Sequence, residues 1–106
     1  MFGFSRKPNI DNGLQIYKST PGAVLVDVRT KDEFKLGRIP GSVNVPLNKL
    51  GTIEQYADKD TPIFLYCLNG ARAERALKRL RRKGYTRAVC LGGVKGYSGS
   101  IESGNA

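Results

Sequence analysis

The chain has 106 residues, which is enough for one domain with a hydrophobic core but not for a second active lobe. Its 18 Lys and Arg residues against 9 Asp and Glu residues give a formal net charge of +9, and the absence of histidine excludes imidazole as a base or a metal ligand. The two cysteines fit neither a disulfide framework nor a metal site, and no apolar run approaches membrane-spanning length.

The first half of the chain alternates between helical and strand patterns. Residues 1–9 are predicted to be a flexible arm, and they lack the apolar core of a signal peptide, which predicts a cytoplasmic location. The predicted elements that follow are an opening helix from residue 10, a buried strand at 23–28, a helix at 31–36, a short strand at 42–45 and a helix at 47–56 interrupted at Gly51. Asp11 or Asn12 is predicted to cap the first helix, and Thr30 with Glu33 forms a capping box for the second.

The second half continues the alternation. Its predicted elements are a buried strand at 62–66, a loop at 67–72, a helix ended by Gly84, a buried strand at 87–91, a short helix at 94–100 and a frayed tail at 102–106. The pattern predicts a single α/β domain over residues 10–101. We expect a mainly parallel sheet with helices on both faces.

The loop at 67–72, the Cys67 loop, contains the strongest candidate for chemistry. Cys67 ends an apolar strand and precedes a helix, and α/β sheets place ligands at this edge. Gly70 lets the loop curl so that backbone N–H groups point inward, and the Arg72 guanidinium suits an oxyanion. This arrangement favours a thiolate nucleophile that holds an anion. The alternative is that Cys67 is a small buried apolar residue.

These residues resemble the active-site loop of rhodanese-type sulfurtransferases, whose usual pattern is Cys-x-x-Gly-x-Arg-Ser. The stretches that carry the resemblance are CLNGARA at 67–73, VDVR at 26–29 with EF at 33–34, GRIPGSVNVP at 37–46, and LGG at 91–93 with GY at 96–97. Together they cover about residues 25–97, nearly the whole chain. The chain departs from the family pattern at Arg38, Ala73 and Tyr97, where histidine, serine and tryptophan are usual.

The resemblance implies a rhodanese-like α/β domain of about five strands and an enzyme of the thiosulfate sulfurtransferase type. In the implied mechanism Cys67 is catalytic: it takes the outer sulfur of thiosulfate or a persulfide donor and passes it to cyanide, a thiol or a protein acceptor. The implied substrate-binding residues are Leu68, Asn69, Gly70, Ala71 and Arg72. The resemblance implies no metal and no organic cofactor.

Two alternatives remain open at this stage. One is a sulfur carrier or regulatory module without efficient turnover, including a role in tRNA thiolation. The other is a phosphatase or arsenate reductase, since such enzymes share this fold. Their loops are one residue longer than the one here, in which four residues separate Cys67 from Arg72. The shorter loop favours sulfur over a phosphoryl group.

The remaining polar residues have simpler interpretations. Asp27 and Arg29 follow a strand end, where a structural ion pair is favoured over a substrate role. Cys90 lies in an apolar strand and is predicted to be buried by packing rather than to act as a second redox thiol. The basic run from Arg72 to Arg87 is either a solvated face or a positive field that attracts anionic donors. Nucleic acid and membrane are not expected as partners, because neither a known binding motif nor interleaved aromatic residues accompany the basic run, and no membrane-spanning segment is present.

Overall fold

Four parallel strands form the centre of the structure, a computed structural model that describes residues 9–105. The strands are β1 (Val24–Asp27), β2 (Val43–Asn44), β3 (Ile63–Cys67) and β4 (Ala88–Gly93). The helices are α1 (Ile10–Lys18), α2 (Lys31–Leu36) and α3 (Ala71–Arg82), with two 3-10 helices at Leu47–Gln55 and Val94–Gly96. The order of strands in the sheet is β2-β1-β3-β4. The predicted α/β fold with a parallel sheet is confirmed.

The strand count is lower than the resemblance implied. About five strands were expected, and residues 9–105 contain one sheet of four. The four are those that the sequence predicted. One further pairing, an isolated antiparallel bridge between Arg38 and Glu102, lies outside the named strands. A single bridge does not extend into a ladder, so it does not add a strand.

Both faces of the sheet are covered, because β3 alternates its buried side chains between two apolar clusters. Leu65 and Cys67 belong to the cluster that packs under α3, whose buried residues are Ala73, Ala76 and Leu80. The opposite cluster contains residues of α1, β1, β3 and β4: Ile10, Leu14, Leu25, Phe64, Tyr66 and Leu91. The helix-covered sheet fixes the end of β3 and the start of α3 in one rigid unit.

Some local predictions were wrong in detail. The cap of α1 is Asn9, whose side chain accepts from the backbone N–H of Asn12, because the helix already begins at Ile10. The helix predicted at 47–56 is a 3-10 helix, and its kink lies at Lys49, not at Gly51. The helix predicted at 94–100 is the 3-10 turn Val94–Gly96. The capping box of Thr30 and Glu33 is confirmed.

Arg38 ties the end of the chain to the domain. Its buried guanidinium donates to a carboxylate oxygen of Glu102 at 3.1 Å and to the carbonyl oxygen of Gly104 at 2.7 Å, and it lies over the ring of Phe34. Part of the predicted tail, 102–106, therefore has defined partners. The bounds of the domain stay a prediction, and the predicted arm lies outside the described residues except for Asn9. In the described part of the chain, no helix has the length and apolar character needed to cross a membrane.

Candidate active site

The Cys67 loop lies at the carboxyl end of the sheet, between β3 and α3. All five residues of β3 are buried, so Cys67 is fixed at its last position. Gly70 has a φ of 100°, a left-handed conformation that favours glycine, and it stands directly before the first residue of α3. This turn directs the start of the helix back towards the sulfur.

Two backbone N–H groups point at the Cys67 sulfur. The N–H of Gly70 donates to Sγ with an N···S distance of 2.9 Å, and the N–H of Ala73 donates at 3.4 Å. Inward-facing amides at a helix N-terminus stabilise negative charge. Ala73 contributes through its backbone, which serine would also supply, so its side chain is not needed for this contact. The site thus suits a thiolate or a small anion built on that sulfur.

Leu68 and Asn69 of the loop form hydrogen bonds within the protein. Asn69 accepts the N–H of Ala71 on its side-chain oxygen at 3.1 Å, a local side-chain-to-backbone bond within the turn before α3. The carbonyl oxygen of Leu68 accepts the N–H of Lys95 at 3.2 Å. These bonds hold the loop in place, and a direct role of Leu68, Asn69 or Ala71 towards a substrate stays a prediction.

Gly93 is a site residue that the sequence did not single out. A Cβ at this position would lie 2.5 Å from the carbonyl oxygen of Leu68 and 2.6 Å from the Cα of Asn69. Both are backbone atoms, so the Cys67 loop would have to move. From the sequence, the strand was predicted to end at Leu91 before this glycine pair, whereas β4 runs through Gly93. The physical role of Gly93 is to let the loop pack against the neighbouring strand.

Arg72 forms a bidentate pair with Glu33. Its two terminal nitrogens donate to the two carboxylate oxygens at 2.7 and 2.9 Å, and the Thr30 N–H donates to the same carboxylate at 2.9 Å. These contacts, the Arg72 hydrogen bonds above all, lower the pKa of Glu33 from 4.5 to about 2. The sequence predicted that the Arg72 guanidinium binds an oxyanion. In this structure it forms an ion pair with Glu33 of α2 instead and so connects the loop to that helix. A role towards a donor stays a prediction.

We expect the pair to contribute about 1 kcal/mol to the free energy of unfolding, because it is bidentate but about 30% of each side chain is exposed. A double-mutant cycle of Glu33→Ala and Arg72→Ala by urea unfolding measures this coupling and removes the separate loss of the capping box. The depressed pKa sets the pH dependence: the coupling is complete above 4.5 and is lost as the pH falls towards 2. A coupling free energy indistinguishable from zero at pH 7 would show that the Arg72–Glu33 ion pair does not stabilise the fold.

Asp27 and Arg29 form the structural ion pair that was predicted. Their closest N···O distance is 2.6 Å, and both side chains are buried. Arg29 also donates to the carbonyl oxygen of Gly37 at 2.5 Å, and the Asn44 side chain donates to the carbonyl oxygens of Asp27 and Arg29. The pair and its partners fix the chain where it leaves β1, next to the Cys67 loop.

Cys90 packs against the same apolar cluster as Cys67, as predicted, although it is only half-buried. Burial raises the pKa of its thiol to about 11. The group is therefore a protonated thiol near neutral pH and a poor nucleophile. Of the two cysteines, only Cys67 has backbone donors aimed at its sulfur from a helix N-terminus.

Comparison with known proteins places this site in a family. The family model described as the Rhodanese-like domain matches residues 13–100. The chain is 40% identical over 82 residues to the uncharacterized protein YqhL of Bacillus subtilis, covering 76% of this chain and 65% of that protein. It is 34% identical over 74 residues to a sulfurtransferase of Allochromatium vinosum, covering 70% and 69%. The chain thus spans about two thirds of the length of these relatives.

Solved structures agree with the sequence matches. A human single-domain sulfurtransferase, TSTD1, is similar with a TM-score of 0.71 and 25% sequence identity, over 81% of this chain and 89% of that one. The segment matched by the family model includes all four strands and the whole Cys67 loop. The chain belongs to the rhodanese-like domain family.

Proposed function

We propose that this protein is a sulfurtransferase that moves a sulfane sulfur through a persulfide on Cys67. The observation that supports this most directly is the pair of N–H groups, from Gly70 and Ala73, that face the Cys67 sulfur. A persulfide carries negative charge, and these dipoles beside Sγ would stabilise it.

In the first half-reaction, the Cys67 thiolate attacks the outer sulfur of thiosulfate. A bond forms between Sγ and that sulfur, the bond to the sulfonyl sulfur breaks, and sulfite leaves with the electron pair. Cys67 is fully buried in this structure, so the attack requires the loop to open or a neighbouring side chain to move. The net charge of +9 favours the approach of a dianion.

In the second half-reaction, a nucleophile removes the sulfur. Cyanide or a thiolate attacks the terminal sulfur, a new bond forms to it, and the Cys67 thiolate departs. The two half-reactions balance without a metal or an organic cofactor, and one cysteine serves both.

A sulfur carrier with slow turnover of free thiosulfate is the second candidate. Two observations favour it: Cys67 is buried, and Glu33 occupies both terminal nitrogens of Arg72. A carrier would accept sulfur slowly from a small donor and pass it efficiently to a protein acceptor.

Steady-state kinetics with thiosulfate and cyanide test the proposal. We expect thiocyanate formation with ping-pong kinetics, since sulfite must leave before cyanide reacts. Plots of reciprocal rate at several cyanide concentrations should be parallel. Intersecting lines would contradict a persulfide intermediate. A slow rate with cyanide that rises when a thiol-bearing protein is the acceptor would favour the sulfur carrier over the thiosulfate sulfurtransferase.

Gly93→Ala should lower kcat/KM for thiosulfate by roughly tenfold or more, because the added Cβ displaces the backbone of the Cys67 loop. The same overlap should cost about 1–3 kcal/mol in the free energy of unfolding. Gly96→Ala is the matched control: its Cβ would meet its nearest atom, on Ile10, at an ordinary 3.7 Å. Unchanged kinetics in a folded Gly93→Ala variant would mean that this contact does not position the loop.

A further inference from the structure

Two cavities lie side by side along α3, and one of them reaches the Cys67 loop at Arg72. The first, of about 300 Å³, is lined at one end by Thr30 and Arg72. The second, of about 340 Å³, reaches Arg82 and Lys83 near the end of the helix. Both are lined by the same three residues, Leu47, Asn48 and Arg79. We call these two adjoining cavities together the α3 groove.

The charge of the α3 groove is of one sign. Among the described residues, no acidic side chain lines either cavity, while Arg79, Arg82 and Lys83 add basic groups to that of Arg72. Of the basic residues in this lining, only Arg72 takes part in one of the three ion pairs found within residues 9–105, and its partner is Glu33. Arg79, Arg82 and Lys83 are exposed, so the groove has positive charge that these ion pairs do not neutralise.

The shape and the apolar part of the lining favour an extended peptide. Arg72 and Lys83 are separated by about 16 Å along the helix, which matches about five residues of extended chain. Apolar side chains also line the groove, namely Val28, Pro46, Leu47 and Leu50. The part of its lining formed by residues 9–105 contains no aromatic ring, and stacking on such rings is how single-stranded nucleic acid is usually held.

We propose that the α3 groove binds an extended acidic segment of a protein sulfur acceptor and delivers that segment's cysteine to the Cys67 persulfide. This rests on the proposed function, because Arg72 of the groove lining belongs to the loop that would carry the sulfur. Cys67 lines neither cavity and is buried, so delivery uses the same loop opening that sulfur transfer requires. The acceptor thiolate attacks the terminal sulfur, an S–S bond forms to the acceptor, and the bond to Cys67 Sγ breaks as the Cys67 thiolate leaves. Acidic residues pair with Arg79, Arg82 and Lys83, and an apolar residue fills the pocket at Leu47.

The test uses a six-residue peptide with one terminal cysteine, one leucine and four acidic residues, made with the cysteine at either end. Its control carries lysine at each acidic position. The rate at which the peptide removes sulfur from the persulfide form is followed by mass spectrometry. We expect the better acidic peptide to react at least roughly tenfold faster than its lysine control at low salt, with the difference shrinking at high salt.

Matched variants locate the effect. The double variant Arg79→Glu/Arg82→Glu should slow transfer to the acidic peptide by roughly tenfold. Lys18→Glu/Lys78→Glu changes the net charge equally at exposed positions outside the groove lining and should change the rate by less than about twofold. The small acceptor 2-mercaptoethanol has no acidic side chains to pair with the groove, so its rates with the three proteins should agree within about twofold. Equal loss in both double variants would replace the groove with a general field and overturn the proposal.

Binding separates this proposal from the proposed function. Fluorescence anisotropy of a labelled acidic peptide with serine in place of cysteine needs no persulfide, so it tests the groove even if thiosulfate never loads Cys67. Loss of this binding in Arg79→Glu/Arg82→Glu alone supports the groove, whereas equal binding of the lysine peptide overturns it. If unfractionated tRNA displaces the peptide and its own binding depends on Arg79 and Arg82, the occupant is a nucleic acid and the proposal is wrong.

Discussion

Cys67→Ser is expected to lower thiocyanate formation from thiosulfate and cyanide by at least roughly 1,000-fold, whereas Cys90→Ser should keep most of the activity. Only Cys67 has two backbone N–H groups directed at its sulfur, and it lies in front of the N-terminus of α3. Serine cannot hold a sulfane sulfur, so the first half-reaction fails outright. Cys90 is a protonated, half-buried thiol whose pKa is raised to about 11.

Both variants must be folded for the comparison to hold. Cys67 is fully buried, so thermal unfolding of Cys67→Ser should be recorded, and Cys67→Ala provides a second variant without a buried hydroxyl. If Cys90→Ser is folded yet as inactive as Cys67→Ser, Cys90 has a chemical role and its assignment to packing is wrong.

The second large effect concerns the length of the Cys67 loop. Four residues separate Cys67 from Arg72, one fewer than in the phosphatases of this fold, and the sulfur is already approached by the Gly70 N–H at 2.9 Å. So tight a ring of amides suits one sulfur atom better than a phosphoryl group. The loop also contains no Asp or Glu to act as a general acid for an alkoxide leaving group. We expect thiosulfate turnover and no measurable release of phosphate from an aryl phosphate.

Inserting one glycine between Asn69 and Gly70 should lower kcat/KM for thiosulfate by roughly 100-fold, because it displaces both amides from the sulfur. Inserting one glycine between Asp58 and Lys59, in the loop before β3, is the control that shows whether the fold tolerates a one-residue insertion away from the Cys67 loop. Thiosulfate and the aryl phosphate should both be assayed with the same preparation of each variant. Phosphate release that depends on Cys67, without persulfide formation, would overturn the assignment to sulfur chemistry.

Three of the four strands could be predicted because each lies in a local apolar run; the short β2 does not. The runs ending at Val28, Tyr66 and Leu91 are parallel strands in the structure, and β3 ends at Cys67 as expected. The last run was predicted to be buried, but β4 is an edge strand in which Val89 is exposed. The capping box at Thr30 was equally local, since its partner Glu33 is three residues away. Features that depend on a few neighbouring residues were therefore visible in the sequence.

Contacts between distant segments were not visible. Glu33 was assigned to a helix cap, and its pairing with Arg72 joins residues that only the folded sheet brings together. The burial of Arg38 depends on the end of the chain returning to α2. The closeness of Gly93 to the loop depends on the register of β3 and β4, in which Cys67 pairs with Gly93. Composition and periodicity contain no signal for such pairings.

Mass spectrometry of the protein after incubation with thiosulfate tests the central claim most directly. The account predicts a gain of one sulfur atom, located on a peptide that contains Cys67, removed by cyanide and absent from Cys67→Ser. An added sulfur on the Cys90 peptide, or thiocyanate formation with no sulfur bound at Cys67, would contradict it.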